Sequence, residues 1–138
     1  MTQPTLQFEV IRNESPIAIA ERDAALANPA FGVHFTDHQI VIVWEKDKGW
    51  HSAQVQPYGP ILMDPSSAVL HYGQEIFEGI KAYRHDDGSI WTFRPEANAH
   101  RLQLSAHRMA LQELPTELFI ESLRQLIEVD VHMVPEPV

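Results

Sequence analysis

The sequence predicts an α+β domain: a two-layer α/β sandwich, with a mostly antiparallel sheet and two C-terminal helices on one face. Three observations predict it. The β-branched runs and hairpin-type connections precede residue 95. The long helical periodicities follow it. Strands first and helices last is the order that segregates helices onto one side of a sheet. The third is size: 138 residues, 44% hydrophobic and 21% charged, make one ordinary core-bearing domain.

Each element follows in order. Residues 1–30 carry Pro4, Pro16 and Pro29 without a sustained period and read as a weakly structured arm. Within it Leu6, Phe8 and Val10 alternate as in a short strand, and residues 17–26 suit a helical turn. The body is expected over residues 31–138. Residues 39–44, rich in β-branched side chains, read as a central strand buried on both faces. Polar residues 46–49 end in glycine and suit a hairpin connection to a second strand over 50–56. Pro57, Gly59 and Pro60 stop that strand, and residues 61–63 read as a short third one.

A second hairpin pairs residues 80–84 with 90–94. Its turn holds Asp87 and Gly88, and glycine accepts positive φ without a Cβ clash. Period-two alternation puts Ile80, Ala82 and Arg84 on one face and Lys81 and Tyr83 on the other. A helix then opens at Pro95, with Ala99, Leu102, Ala106 and Met109 at helical spacing. Pro115 breaks it. Thr116 is the expected N-cap of the last helix, whose packed stripe is Phe119, Leu123, Leu126 and Ile127.

Composition excludes several classes. Ten Lys+Arg against 19 Asp+Glu give a formal charge of -9, against a general binder of nucleic acid or anionic membrane. There is no cysteine, so disulfides, thiolate zinc sites and cysteine nucleophiles are ruled out. The longest apolar run is far too short to span a bilayer, and the N-terminus shows no secretory pattern. A cytoplasmic location is the expectation. Eight histidines raise the question of a metal, but no HExxH or comparable ligand set appears, and no metal is expected.

Arg101 and Arg108 are seven residues apart, about two helical turns, and so share a helix face. An arginine fork suits phosphate or carboxylate. On spacing alone, a solvated helix face is the simpler reading. Tyr72, Phe77 and Tyr83 bracket Gly73 and Gly79. Aromatics beside glycines can wall an apolar pocket, or serve as core aromatics at a bend. Physics alone does not choose between these.

A family resemblance does choose. The segments FTDH at 35–38, KGW at 48–50 and LHYGQEIFEGIKAY at 70–83 resemble the branched-chain amino acid aminotransferases. So does RPEANAHRLQLSAHR at 94–108. These belong to the class-IV (fold type IV) enzymes that use pyridoxal 5'-phosphate. The FTDH segment favours the branched-chain group over its relatives that act on D-amino acids or aminodeoxychorismate.

The resemblance implies that Arg101 binds the cofactor phosphate and that Phe77 and Phe31 are pocket aromatics. It implies that Tyr72 reaches the active site of a neighbouring subunit, because the family works as homodimers. Gly79 and Lys81 lie on the same pocket segment. The implied reaction moves the amino group of Leu, Ile or Val to 2-oxoglutarate. Family members continue into a second, larger domain that carries the Schiff-base lysine. Lys46, Lys48 and Lys81 do not match that position. The expectation is therefore an N-terminal small domain, with no catalytic residue of its own and inactive alone. The alternative is a non-catalytic α+β binding or dimerisation module that retains the fold.

Overall fold

The structure is a computed structural model that describes residues 6–28 and 32–137. Two paired strands form its centre, the first rich in β-branched residues. Strand β2 (His38–Glu45) pairs antiparallel with β3 (Gly49–Pro57) through the predicted connection. The register slips between Val41 and Val43, opposite Ser52, whose φ is +50°. This is a β-bulge, which bends and twists the strand. Ala53 and Val55, two apart on β3, face the core at 2% and 0% exposure.

The first strand, β1 (Glu9–Val10), adds parallel to the other side of β3, giving the order β1-β3-β2. Helix α1 (Ile19–Ala27) follows it and buries Ala25. The chain between them is tied down by side chains. Asn13 donates its backbone N–H to His38 Nε2 at 2.9 Å and its Nδ2 to the Asp37 carbonyl at 3.2 Å.

Three expectations need correction here. Residues 61–63 form no strand: Ile61 is 64% and Leu62 101% exposed. Pro57, Pro60 and Pro65 surround them, and proline lacks the N–H a sheet ladder needs. Strand β2 is not buried on both faces, since Val43 and Trp44 reach solvent at its far end. A short helix, α2 (Ala68–Tyr72), stands where the sequence showed only a break; left-handed Gly73 closes it by donating its N–H to the Val69 carbonyl.

The second hairpin is a separate two-stranded sheet, β4 (Ala82–Arg84) with β5 (Ile90–Thr92). Its turn runs through Gly88 at φ +82°. It is shorter than expected at both ends. Ile80 and Lys81 remain in an irregular run, and Arg94 adopts a left-handed conformation that turns the chain into the next helix. The alternation of sides holds: Ala82 and Arg84 are half-buried and Lys81 and Tyr83 exposed.

Helix α3 (Pro95–Arg108) begins with proline at its first turn, where a missing N–H costs nothing. It packs on α4 (Thr116–Val129). Ala99 and Ala106, two turns apart, are fully buried, and their small side chains permit close helix approach. Pro115, not Thr116, occupies the cap position of α4, and no side chain caps it. Phe119, Leu123, Leu126 and Ile127 are all half-buried on α4, which packs against β2 and β3. Helix α4 thus packs on the sheet and α3 packs on α4, an α+β arrangement consistent with the two layers the sequence predicts. A single 3-10 turn, Val131–Met133, ends the described chain's regular structure.

Candidate functional site

The irregular segment 73–81 lies along α3 and is pinned there at several points. Gln74 Nε2 donates to the Met109 carbonyl at 2.9 Å. Asn98 Nδ2 donates to the Gly79 carbonyl and to Glu78 Oε1, both at 2.9 Å. Arg101 Nε donates to Glu78 Oε2 at 2.9 Å, and its Nη2 pairs with Glu78 Oε1. Asn98 and Arg101 can converge because residues three apart on a helix share a face.

Glu78 lies under this pair. Its side chain is 7% exposed, against 64% for Arg101. The Arg101 guanidinium holds the Glu78 carboxyl below its ordinary range, helped by Asn98 and opposed by burial. Glu78 in turn raises Arg101. Fork-to-fork pairing of this kind fixes both groups in one plane.

Beside the pair is an open cleft of ≈ 430 Å³. Ile76, Phe77, Leu104 and Met109 supply its apolar lining, and Arg101, Ser105 and Arg108 its polar one. Both arginines on the shared helix face therefore line the same space as Phe77. Arg108 has no carboxylate partner among the described residues. Arg101 keeps an Nη group unused by Glu78 and has Arg108 as a second cation nearby, whereas the Ser105 hydroxyl donates to the Arg101 carbonyl at 3.0 Å; two guanidinium groups lining one cleft suit an anion such as a phosphate ester.

Gly79 adjoins the cleft: a Cβ built on it would lie 3.6 Å from the Phe77 ring, an ordinary contact. Tyr72, at the end of α2, is 86% exposed and does not line the cleft; neither does exposed Lys81. Phe31 lies outside the described residues. Lys46 and Lys48 sit in the β2–β3 turn, and Lys48 pairs with Glu45 at 2.7 Å. Sequence reasoning missed Glu78 and Asn98. The i, i+3 spacing of Asn98 and Arg101 was the available signal.

A second polar cluster joins distant parts of the chain. His38 Nδ1 is 2.6 Å from Asp130 Oδ1, and both are buried. Asp37 accepts the Ile17 N–H at 2.8 Å and faces His132 Nε2 at 3.1 Å. One ligand atom from each of Asp37, Asp130 and His132 lies within 4.8 Å of the others. Hydrogen bonds within the protein already engage these carboxylates, so the cluster acts as a latch.

The fold and cleft define a small α+β domain in which two arginines and an apolar wall line one open cleft. No family model matches the chain. It is 62% identical over 135 residues to a branched-chain-amino-acid aminotransferase of Mycolicibacterium smegmatis, covering 98% of this chain and 37% of that one. It is 56% identical, with the same coverage, to the protein of that name from Mycobacterium tuberculosis. A Bacillus subtilis branched-chain-amino-acid transaminase is 48% identical over 106 residues, 77% of this chain and 30% of that one. Over nearly all its residues the chain belongs to the branched-chain-amino-acid aminotransferase family. It spans little more than a third of the length of these relatives.

Proposed function

We propose that this chain is the small domain of a branched-chain amino acid aminotransferase. The enzyme transfers the amino group of Leu, Ile or Val to 2-oxoglutarate with pyridoxal 5'-phosphate, in the cytoplasm and as a homodimer. Residues 1–30 are its arm and 31–138 its small domain. The observation that carries this reading is the shared cleft of Arg101 and Phe77, in a chain so similar to named aminotransferases.

In this reading Arg101 holds the cofactor phosphate, and the cofactor supplies the electron sink for amino-group transfer. Phe77, with Ile76 and Leu104 beside it, receives a branched aliphatic side chain. Each methylene so buried contributes about 0.8 kcal/mol. Gly79 lies on the same segment, beside the Phe77 ring. Phe31 adds a pocket aromatic, Lys81 a flanking charge, and Tyr72 reaches a second subunit. Tyr72's high exposure supports that last role. The Schiff-base lysine belongs to the larger domain, so this domain alone is inactive.

The test compares the 138-residue chain with the full-length enzyme. The enzyme turns over valine and shows the cofactor's absorbance band; the chain alone does neither. Robust transamination by the chain alone would overturn the reading. A second reading, a non-catalytic association module, draws on the bare apolar side chains of Ile61, Leu62 and Tyr72. A strictly monomeric chain at high concentration would count against it.

A further inference from the structure

We propose that Glu78 is a positioning residue: it orients the Arg101 guanidinium for the anion that Arg101 binds. This rests on the reading of Arg101 as a phosphate ligand and deepens it. Arg101 sits on an exposed helix surface, 64% accessible. A side chain with four rotatable bonds in such a place samples many rotamers, and holding one sacrifices up to about 2 kcal/mol of rotamer entropy. Glu78 removes that freedom before any ligand arrives. Its two oxygens take Nε and Nη2 of Arg101, which fixes the plane of the guanidinium and leaves Nη1 uncommitted to the carboxylate.

Glu78 is itself held in place by its partners. It is nearly buried, and Asn98 bridges it to the Gly79 carbonyl at 2.9 Å on each side. A carboxylate this buried is retained only with its charge matched. The order of support therefore runs from the Gly79 carbonyl through Asn98 and Glu78 to Arg101. A plain electrostatic view of the same geometry predicts the opposite effect. Glu78 would then compete with phosphate for Arg101, and removing it would tighten anion binding.

The two views separate in the full-length enzyme through the affinity ratio of pyridoxal 5'-phosphate to pyridoxal. That ratio isolates the phosphate contribution and is read by equilibrium absorbance titration, independently of turnover. Glu78→Ala is expected to lower it about tenfold, the loss of roughly one charge-assisted hydrogen bond's worth of alignment. Glu78→Gln keeps the shape and one acceptor oxygen, so it restores part of the loss. It also decides the question should Glu78→Ala fail to fold. The phosphorus-31 resonance of bound cofactor should move in both variants. A ratio unchanged or raised in Glu78→Gln overturns the positioning role. Arg101→Ala is the control: if the ratio survives there, the reading of Arg101 itself fails, whatever Glu78 does.

Discussion

Asp130, just past the end of α4, holds His38 at the start of β2 from ninety-two positions away. Its Oδ2 accepts the His38 backbone N–H at 2.9 Å, and its Oδ1 meets Nδ1 of the ring at 2.6 Å. The ring's other nitrogen accepts the Asn13 N–H, so Nε2 carries the lone pair and Nδ1 the proton donated to Asp130. One imidazole thereby joins the N-terminal segment, the central strand and the last helix.

Breaking that junction leaves a buried polar group without its partner. Asp130→Ala and His38→Ala are each expected to destabilise the protein by about 1–3 kcal/mol. Urea unfolding of either variant gives the number. A midpoint equal to that of the parent would show that solvent replaces the pair freely.

Acid should act on the same region. Burial raises Asp37, but the Ile17 N–H and His132 outweigh it, so its carboxyl lies below 3.8. Glu121 is drawn down to about 2 by the Arg124 guanidinium and by Gln125. Both groups have folded-state pKa values below their unfolded ones. Their contribution is thus complete above about pH 4.5 and disappears as pH falls toward 2. Stability measured against pH should decline across that window. Asp37→Asn should flatten the Asp37 share of the decline; an unchanged slope would remove Asp37 from the account.

Much of this fold is legible in local chemistry. Pro95 and Pro115 mark the starts of two helices, and the stripe from Phe119 to Ile127 identifies the face that packs on the sheet. Gly88 marks the hairpin turn. What local pattern could not supply was partnership. Residues 61–63 have strand-like side chains but no neighbouring strand to pair with. The Asp130–His38 contact spans most of the chain, so no spacing rule exposes it. In the cleft, the shared face of Arg101 and Arg108 was readable. Glu78 was not, because it reaches α3 from an irregular segment whose path depends on Asn98 and Gln74.

Close packing of α3 on α4 depends on small residues. Ala106 is 1% exposed and Ala99 fully buried. Ala106→Leu would insert three carbons at a buried helix contact, and overpacking of this kind costs about 1–3 kcal/mol. Thermal unfolding should show a lowered midpoint. A rise would mean that a cavity lies beside Ala106 after all.

Arg84 fastens the second hairpin to the rest of the domain. Its Nη2 donates to the Val131 carbonyl at 2.6 Å and the Val134 carbonyl at 3.2 Å, around the 3-10 turn. Those carbonyls follow a helix end, where acceptors outnumber intrahelical donors. The three-residue strands β4 and β5 are too short to be stable by pairing alone. The hairpin therefore depends on this tether and on Ile90, which faces α4 across a second cleft. Arg84→Met keeps the aliphatic stem but removes both hydrogen bonds, at an expected cost of about 1.5–3 kcal/mol. Hydrogen exchange should locate the effect: amides of residues 82–84 and 90–92 should lose protection while those of β2 and β3 keep theirs. Uniform loss across both sheets would show instead that the hairpin unfolds only with the whole domain.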